Sequence, residues 1–141
     1  NMKAIIIIIL VFIFTGGQLQ SQSKKTAVKD RLVLLFELAK TDNYEEAASY
    51  IVYRGEDESR KWKDTCNFKN EKEQKYIIEV CRNIKYLLTG GGDYSFGKFN
   101  TETESEGTWY IWEVKFPQGE TKTAYFAFLF IKNNYSIGDI D

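Results

Sequence analysis

The stretch TWYIWEVKFPQGETKTAYFAFLFIKNNYSIGDID, Thr108 to Asp141, decides how the chain is built. Its first third alternates, so Tyr110, Trp112, Val114 and Phe116 share one side of an extended strand, with Trp109 and Ile111 on the other. Pro117 to Glu120 read as a hairpin loop. The next run puts Phe126, Phe128 and Phe130 on one face and Tyr125, Leu129 and Ile131 on the other. Asn133 and Asn134 read as a two-residue turn that tolerates positive φ, and YSIGDID as the closing strand. Both faces of these strands are apolar, although a sheet covered on one side should show polar residues on the other. Three arrangements answer that: a sheet bent around a pocket, a sheet backed by a second copy, or one wrapped on both faces by helix and loop.

Upstream the period changes from 2 to 3.6. Val28, Leu32, Leu35, Phe36 and Ala39 predict a first helix from Thr26 to about Lys40, after a polar lead-in at Ser21 to Lys25. Asp42, with Glu45 three residues on, reads as the cap of a short second helix. Asp57 or Ser59 could cap a third short one carrying Trp62. The strongest helical pattern follows Asn70 as N-cap with Glu73 at N3: Ile77, Val80, Cys81, Ile84, Leu87 and Leu88 form one stripe. Thr89 and Gly90 to Gly92 stop it. Helices first and an antiparallel meander second predict an α+β fold, a single domain over 24–141 with helices packed on a curved sheet.

Residues 1–23 read as a leader. Lys3 precedes an apolar run from Ala4 to Phe14, and Thr15, Gly16 and Gly17 follow, the pattern of a cleavable secretory signal. The run is too short for a membrane span. The expectation is a secreted or periplasmic protein with no membrane attachment after cleavage. A net charge of −1 and a pI near 5.7 argue against nucleic acid and anionic lipid as partners.

The order of helices, an aromatic-flanked joint and a hairpin-rich sheet ending FAFLFIKNNYSIGDID, Phe126 to Asp141, resembles the nuclear transport factor two-like superfamily. DNYEEAASYI, Asp42 to Ile51, is similar to its second helix. The resemblance implies a cone-shaped α+β fold, shared by ketosteroid isomerases and by small secreted bacterial domains of unknown function. Isomerase members use a tyrosine and acidic residues in the cone. Tyr53 and Asp139 are the positions where such groups could face a cavity here, and no catalytic residue is carried over.

The chain has no histidine, which removes the Ser–His–Asp and Cys–His mechanisms and ordinary zinc sites. No cofactor motif is present and no cofactor is expected. A carboxylate pair among Asp93, Glu113 and Asp139 could support acid–base chemistry. Glu102, Glu104 and Glu106, two apart in TETESE, could meet calcium with Asp139 and Asp141, or could simply keep an edge strand soluble. Cys66 and Cys81 are either a disulfide, which an exported chain favours, or two buried thiols.

In YIVYRGEDESRKWKD, Tyr50 to Asp64, charges of both signs interleave around Trp62. Interleaving cancels any long-range field, so the segment reads as a structural joint. The alternative is a cavity rim on which Arg54 or Arg60 holds an acidic ligand. Two functions lead: a small-ligand or peptide binder lined by Tyr53, Arg54, Arg60, Trp62, Tyr110, Trp112, Tyr125 and Asp139, or a homodimer built on the back of the sheet. An acid–base enzyme without histidine is a distant third.

Overall fold

Val28, Leu32, Leu35, Phe36 and Ala39 are all buried, on one side of a helix over 22–40 (α1), in a computed structural model that describes residues 22–90 and 92–141. The expected leader lies outside the described residues except for 22 and 23. Those two, with Lys24 and Lys25, are already helical, so from residue 22 the expected lead-in is the first turn of α1. The Trp112 indole N–H donates to the Lys25 carbonyl at 3.2 Å and ties that turn to the sheet.

The chain reverses after α1 in one residue. Asn43 N–H donates to Leu38 O at 2.9 Å, Asp42 N–H to Ala39 O at 3.3 Å, and Asp42 takes φ 55°. This is a Schellman ending, with Asp42 in the left-handed position that short polar side chains tolerate. Asp42 is therefore not the expected cap. Asn43 caps α2 (Tyr44–Ala47), its side chain accepting from the Glu46 N–H, and a 3-10 turn, Ala48–Tyr50, continues it.

Helix α3 (Glu71–Leu88) starts as its sequence predicts: the Asn70 side chain accepts from the Lys72 and Glu73 N–H groups, both at 3.1 Å. Ile77, Cys81, Ile84 and Leu87 are buried from it. Four strands follow, β1 (Ser95–Glu104), β2 (Gly107–Gln118), β3 (Glu120–Ile131) and β4 (Asn134–Ile140), in an antiparallel sheet of order β1-β2-β3-β4. The fold is α+β. The β3–β4 turn falls one residue earlier than expected, on Lys132 (φ 50°) and Asn133 (φ 63°), because Ile131 already pairs with Asn134. Two positive φ values match the twist of a two-residue hairpin.

Register sorts the apolar residues. Tyr110 pairs with Phe128 and Trp112 with Phe126, so these four share the face that the helices cover. There Phe36 of α1 meets Phe126 at 5.4 Å and Phe116 at 6.0 Å, and Phe116 and Phe126 are 6.1 Å apart. Edge-on rings at these distances add to what their burial supplies.

The outer face carries a second cluster, Val52, Trp109, Leu129 and Ile131, with Trp62, Ile111 and Ala127 against it. A small hairpin covers it. Val52 N–H donates to Ile137 O at 2.8 Å, and Ile51 bridges in parallel to Ile137 beside β4. The chain then returns with Tyr53 N–H bonded to Asp64 O and Cys66 N–H to Ile51 O, both at 2.9 Å. Wrapping by helices on one side and this hairpin on the other accounts for two apolar faces. Within its loop the expected third helix is a run of turns, with Arg60 and Lys61 N–H groups donating to Asp57 O. Trp62, at φ 65°, leaves the helical region so that its N–H reaches Tyr53 O at 3.2 Å.

Two phenylalanines on one face of β3 separate the centre of this core from its end. Phe126 is fully buried and Phe130 is 54% exposed. Phe126→Ala should lower stability by about 3–5 kcal/mol, and Phe130→Ala by no more than about 1 kcal/mol, read from urea midpoints at unchanged slope.

Candidate functional site: an acidic trough on the outer sheet face

Where the hairpin stops, the outer face is open. The rows across it follow from the pairing: Asn100, Ile111, Ala127 and Asp139 stand side by side, as do Glu113 and Tyr125, with Asp141 backbone-paired to Tyr125. Glu102 stands beside Trp109 in the next row. These residues line an open trough of about 960 Å³, walled at one end by Trp62 and Arg54. Six carboxylates surround it, Glu102, Glu104, Glu106, Glu113, Asp139 and Asp141, against three cations, Arg54, Lys98 and Lys115. Its floor is apolar and aromatic, so a low-dielectric surface sits under a negative rim and strengthens the field above it.

Several of these groups are held in place. Trp62 packs edge-on to Trp109 at 5.7 Å, and the Trp109 indole N–H donates to Glu106 at 2.7 Å. That bond holds the Glu106 carboxyl below its ordinary range. Gly138 leaves room for the Trp109 ring: a Cβ there would fall 2.6 Å from it. Arg54 donates to Gly138 O at 3.0 Å, lies 3.6 Å from Asp139 and stacks over Trp62 at 4.9 Å. Glu113 accepts from the Lys98 N–H at 3.2 Å, across the glycine gap at 97. Glu102 and Glu104 make no ion pair among the described residues, and both stand exposed on β1.

Of the expected binding residues, Arg54, Trp62, Tyr125 and Asp139 meet at this trough. Tyr110 and Trp112 do not. Their pairing with Phe128 and Phe126 puts them on the opposite face from Tyr125, where Trp112 is buried against Phe96 and Phe99 at 5.1 and 5.2 Å. No cone lined by all three exists, because strand side chains alternate and these belong to different parities of the register. Tyr53 and Arg60 lie in a separate groove of about 500 Å³ beside α3. There the Arg60 guanidinium stacks on Tyr53 at 4.0 Å and binds Asp64 at 2.7 Å, Glu73 at 2.8 Å and Thr65 O at 3.1 Å. Four of its five N–H donors are occupied and two carboxylates already balance its charge, so it works as a structural clamp and is a poor seat for an acidic ligand.

Trp109, Ile111 and Lys98 were not singled out from the sequence as site residues. The usable signal was the opposite parity of β2, where Trp109 and Ile111 stand apart from the buried stripe, joined to the acidic alternation of TETESE. Among the described residues no three Cys, Asp or Glu side chains lie close enough to hold a metal ion, so the calcium arrangement does not form. Cys66 and Cys81 are free and buried, not bridged. Cys66 is turned toward Val52 O at 3.7 Å, while Cys81 faces the core from α3. Burial pushes their thiols up to about 12 and about 11, which leaves them inert. The buried carboxylate, Glu73, accepts from Arg60 and from the Asn67 N–H at 3.0 Å, so it has no vacant oxygen for proton transfer.

Asp64 joins the hairpin to the β3–β4 turn through Lys132, at 2.6 Å. Burial alone would raise its carboxyl, but Lys132, Arg60 and the Thr65 N–H outweigh that and bring it down to about 2. A carboxyl depressed in the folded state contributes stability above its unfolded value of 3.8, and loses it as pH falls toward 2. Asp64→Asn should therefore cost about 2 kcal/mol at pH 7. The gap to the unsubstituted chain should close near pH 2, followed by denaturant unfolding at both pH values.

No protein-family model, curated protein or solved structure matches the chain.

Proposed function

We propose that this chain is an exported binding module whose outer trough holds a positively charged ligand, a small molecule or a peptide. The single observation that carries the reading is the pairing of six carboxylates with an apolar, aromatic floor in one open trough of about 960 Å³. Concave sites with an apolar lining and a few polar groups are where proteins bind ligands. The excess of negative groups selects the sign, and the exposed Tyr125 offers a ring face to a cation.

Export is supported by the pattern of Lys3 followed by the apolar run Ala4 to Phe14. No helix among the described residues is long and apolar enough to cross a membrane. The cone layout of the nuclear transport factor two-like superfamily is supported by two helices, a joint and α3 ahead of an antiparallel meander. Inside such a cone, Trp112, Phe126 and Phe128 fill the space between sheet and helices, which moves the binding surface to the other face. A homodimer closed on that same outer face would set these six carboxylates against six more, which disfavours it over the binder.

Titration with spermidine and with trilysine should quench or shift tryptophan emission, since Trp62 and Trp109 wall the trough. Glu102→Gln combined with Glu113→Gln should weaken both at least tenfold, and added salt should weaken them further. Saturable binding of citrate with no response to spermidine would sink the reading.

A further inference from the structure

β1 is an edge. It pairs with β2 on one side, while at the far side of the sheet the Ile51 bridge to Ile137 covers the middle of β4. Ten residues, Ser95–Glu104, thus run along the open side with none of them buried. The β1–β2 hairpin closes with Glu104 opposite Gly107 around two loop residues. In an antiparallel ladder this makes Glu104, Glu102 and Asn100 the residues bonded to β2. Thr101 and Thr103 therefore direct their N–H and C=O groups outward, away from the sheet. Their side chains point to the helix-side face, and the side chains of Asn100, Glu102 and Glu104 point to the trough.

Resting on the cation-binding reading above, we propose that β1 takes up an extended basic peptide as a fifth strand. Alternate lysine or arginine side chains of that peptide lie over the trough against Glu102 and Glu104. The fit is one of period. Carboxylates two residues apart on a strand repeat at about 6.6–6.8 Å, as do alternate side chains of a peptide strand laid beside them. Outward backbone groups of Thr101 and Thr103 supply main-chain hydrogen bonds, and the two glutamates read charge, the usual division of labour in strand addition. Glu106, fixed by Trp109, extends the negative row past the hairpin end. A second copy of this chain fits less well, since its own β1 offers a single lysine, Lys98, to three glutamates.

The test uses a capped ten-residue peptide of alternating lysine and threonine, labelled for fluorescence polarisation, on the whole chain. The same peptide N-methylated on its threonine nitrogens, and again on its lysine nitrogens, probes the edge. Only one parity of a peptide strand faces its neighbour, so one methylated form should bind at least tenfold more weakly and the other should bind like the parent. Glu102→Gln with Glu104→Gln should weaken the parent at least tenfold, and a glutamate–threonine peptide should not bind. If both methylated forms bind like the parent, or both lose equally, strand addition is overturned while the cation-binding trough stands. Failure of spermidine, trilysine and the parent peptide alike overturns both. A chain that is already dimeric through β1 at assay concentration overturns the proposal in favour of self-pairing.

Discussion

The guanidinium of Arg60 holds the outer face together. It lies between Asp64 on its own hairpin, Glu73 on α3 and the carbonyl of Thr65, with the Tyr53 ring beneath it. Glu73 is buried and Arg60 is partly so, hence removing either leaves a charge without its partner in a poorly solvated place. That is the expensive way to break an ion pair, well beyond what an exposed pair contributes. Asp64 passes the linkage on to Lys132 in the β3–β4 turn. One cation therefore fixes the hairpin to both the helix layer and the sheet. The hairpin in turn places Trp62 against Trp109 and Arg54 beside Asp139.

That clamp answers a problem set by composition. β2 and β3 carry large apolar residues on both parities, more than one helix layer can cover. Helices α1 and α3 take the face of Trp112, Phe116, Phe126 and Phe128. The hairpin takes Val52, Leu129, Ile131 and most of Trp109. It is short, so Ile111 and Ala127 remain only partly covered, and the open remainder of that face is the trough floor. The trough is what is left over when a small cover sits on a larger apolar sheet, bordered by charges that keep it in water.

Much of this was legible in the sequence. Asn70 and Glu73 mark the start of α3 because a cap is a local hydrogen bond, and the shift from period 3.6 to 2 marks where helices give way to strands. The joint character of Tyr50 to Asp64 followed from interleaved charges, of which the structure pairs Arg60 with Asp64 locally, while Arg54 reaches out of the stretch to Asp139 on β4. What the sequence left open was relative. Each strand's two faces could be listed, but which face of β2 matches which face of β3 depends on the exact turn at Gly119, where φ is 63°. One residue more or less there would have set Tyr110 and Trp112 beside Tyr125. The same ambiguity put the last turn at Asn133 and Asn134 in place of Lys132 and Asn133. The trough was illegible for the same reason: its residues come from four strands and a distant loop, and only the register brings Asn100, Ile111, Ala127 and Asp139 into one row.

On the strand-addition proposal, the acidic alternation on β1 serves two ends with one set of residues. An exposed strand edge invites pairing with any other strand, and charge is how natural sheets discourage it. Glutamates at 102 and 104 repel acidic and neutral strands alike, the latter by the cost of burying a carboxylate without a counter-ion. The same two groups welcome a strand that brings its own cations at matching spacing. Protection against aggregation and selection of a partner are then the same electrostatic difference, read from opposite sides. A neutral edge of threonines alone would have kept the backbone hydrogen bonds and lost the discrimination. A rim of carboxylates on a covered edge would have kept the charge and lost the means to hold a chain in register.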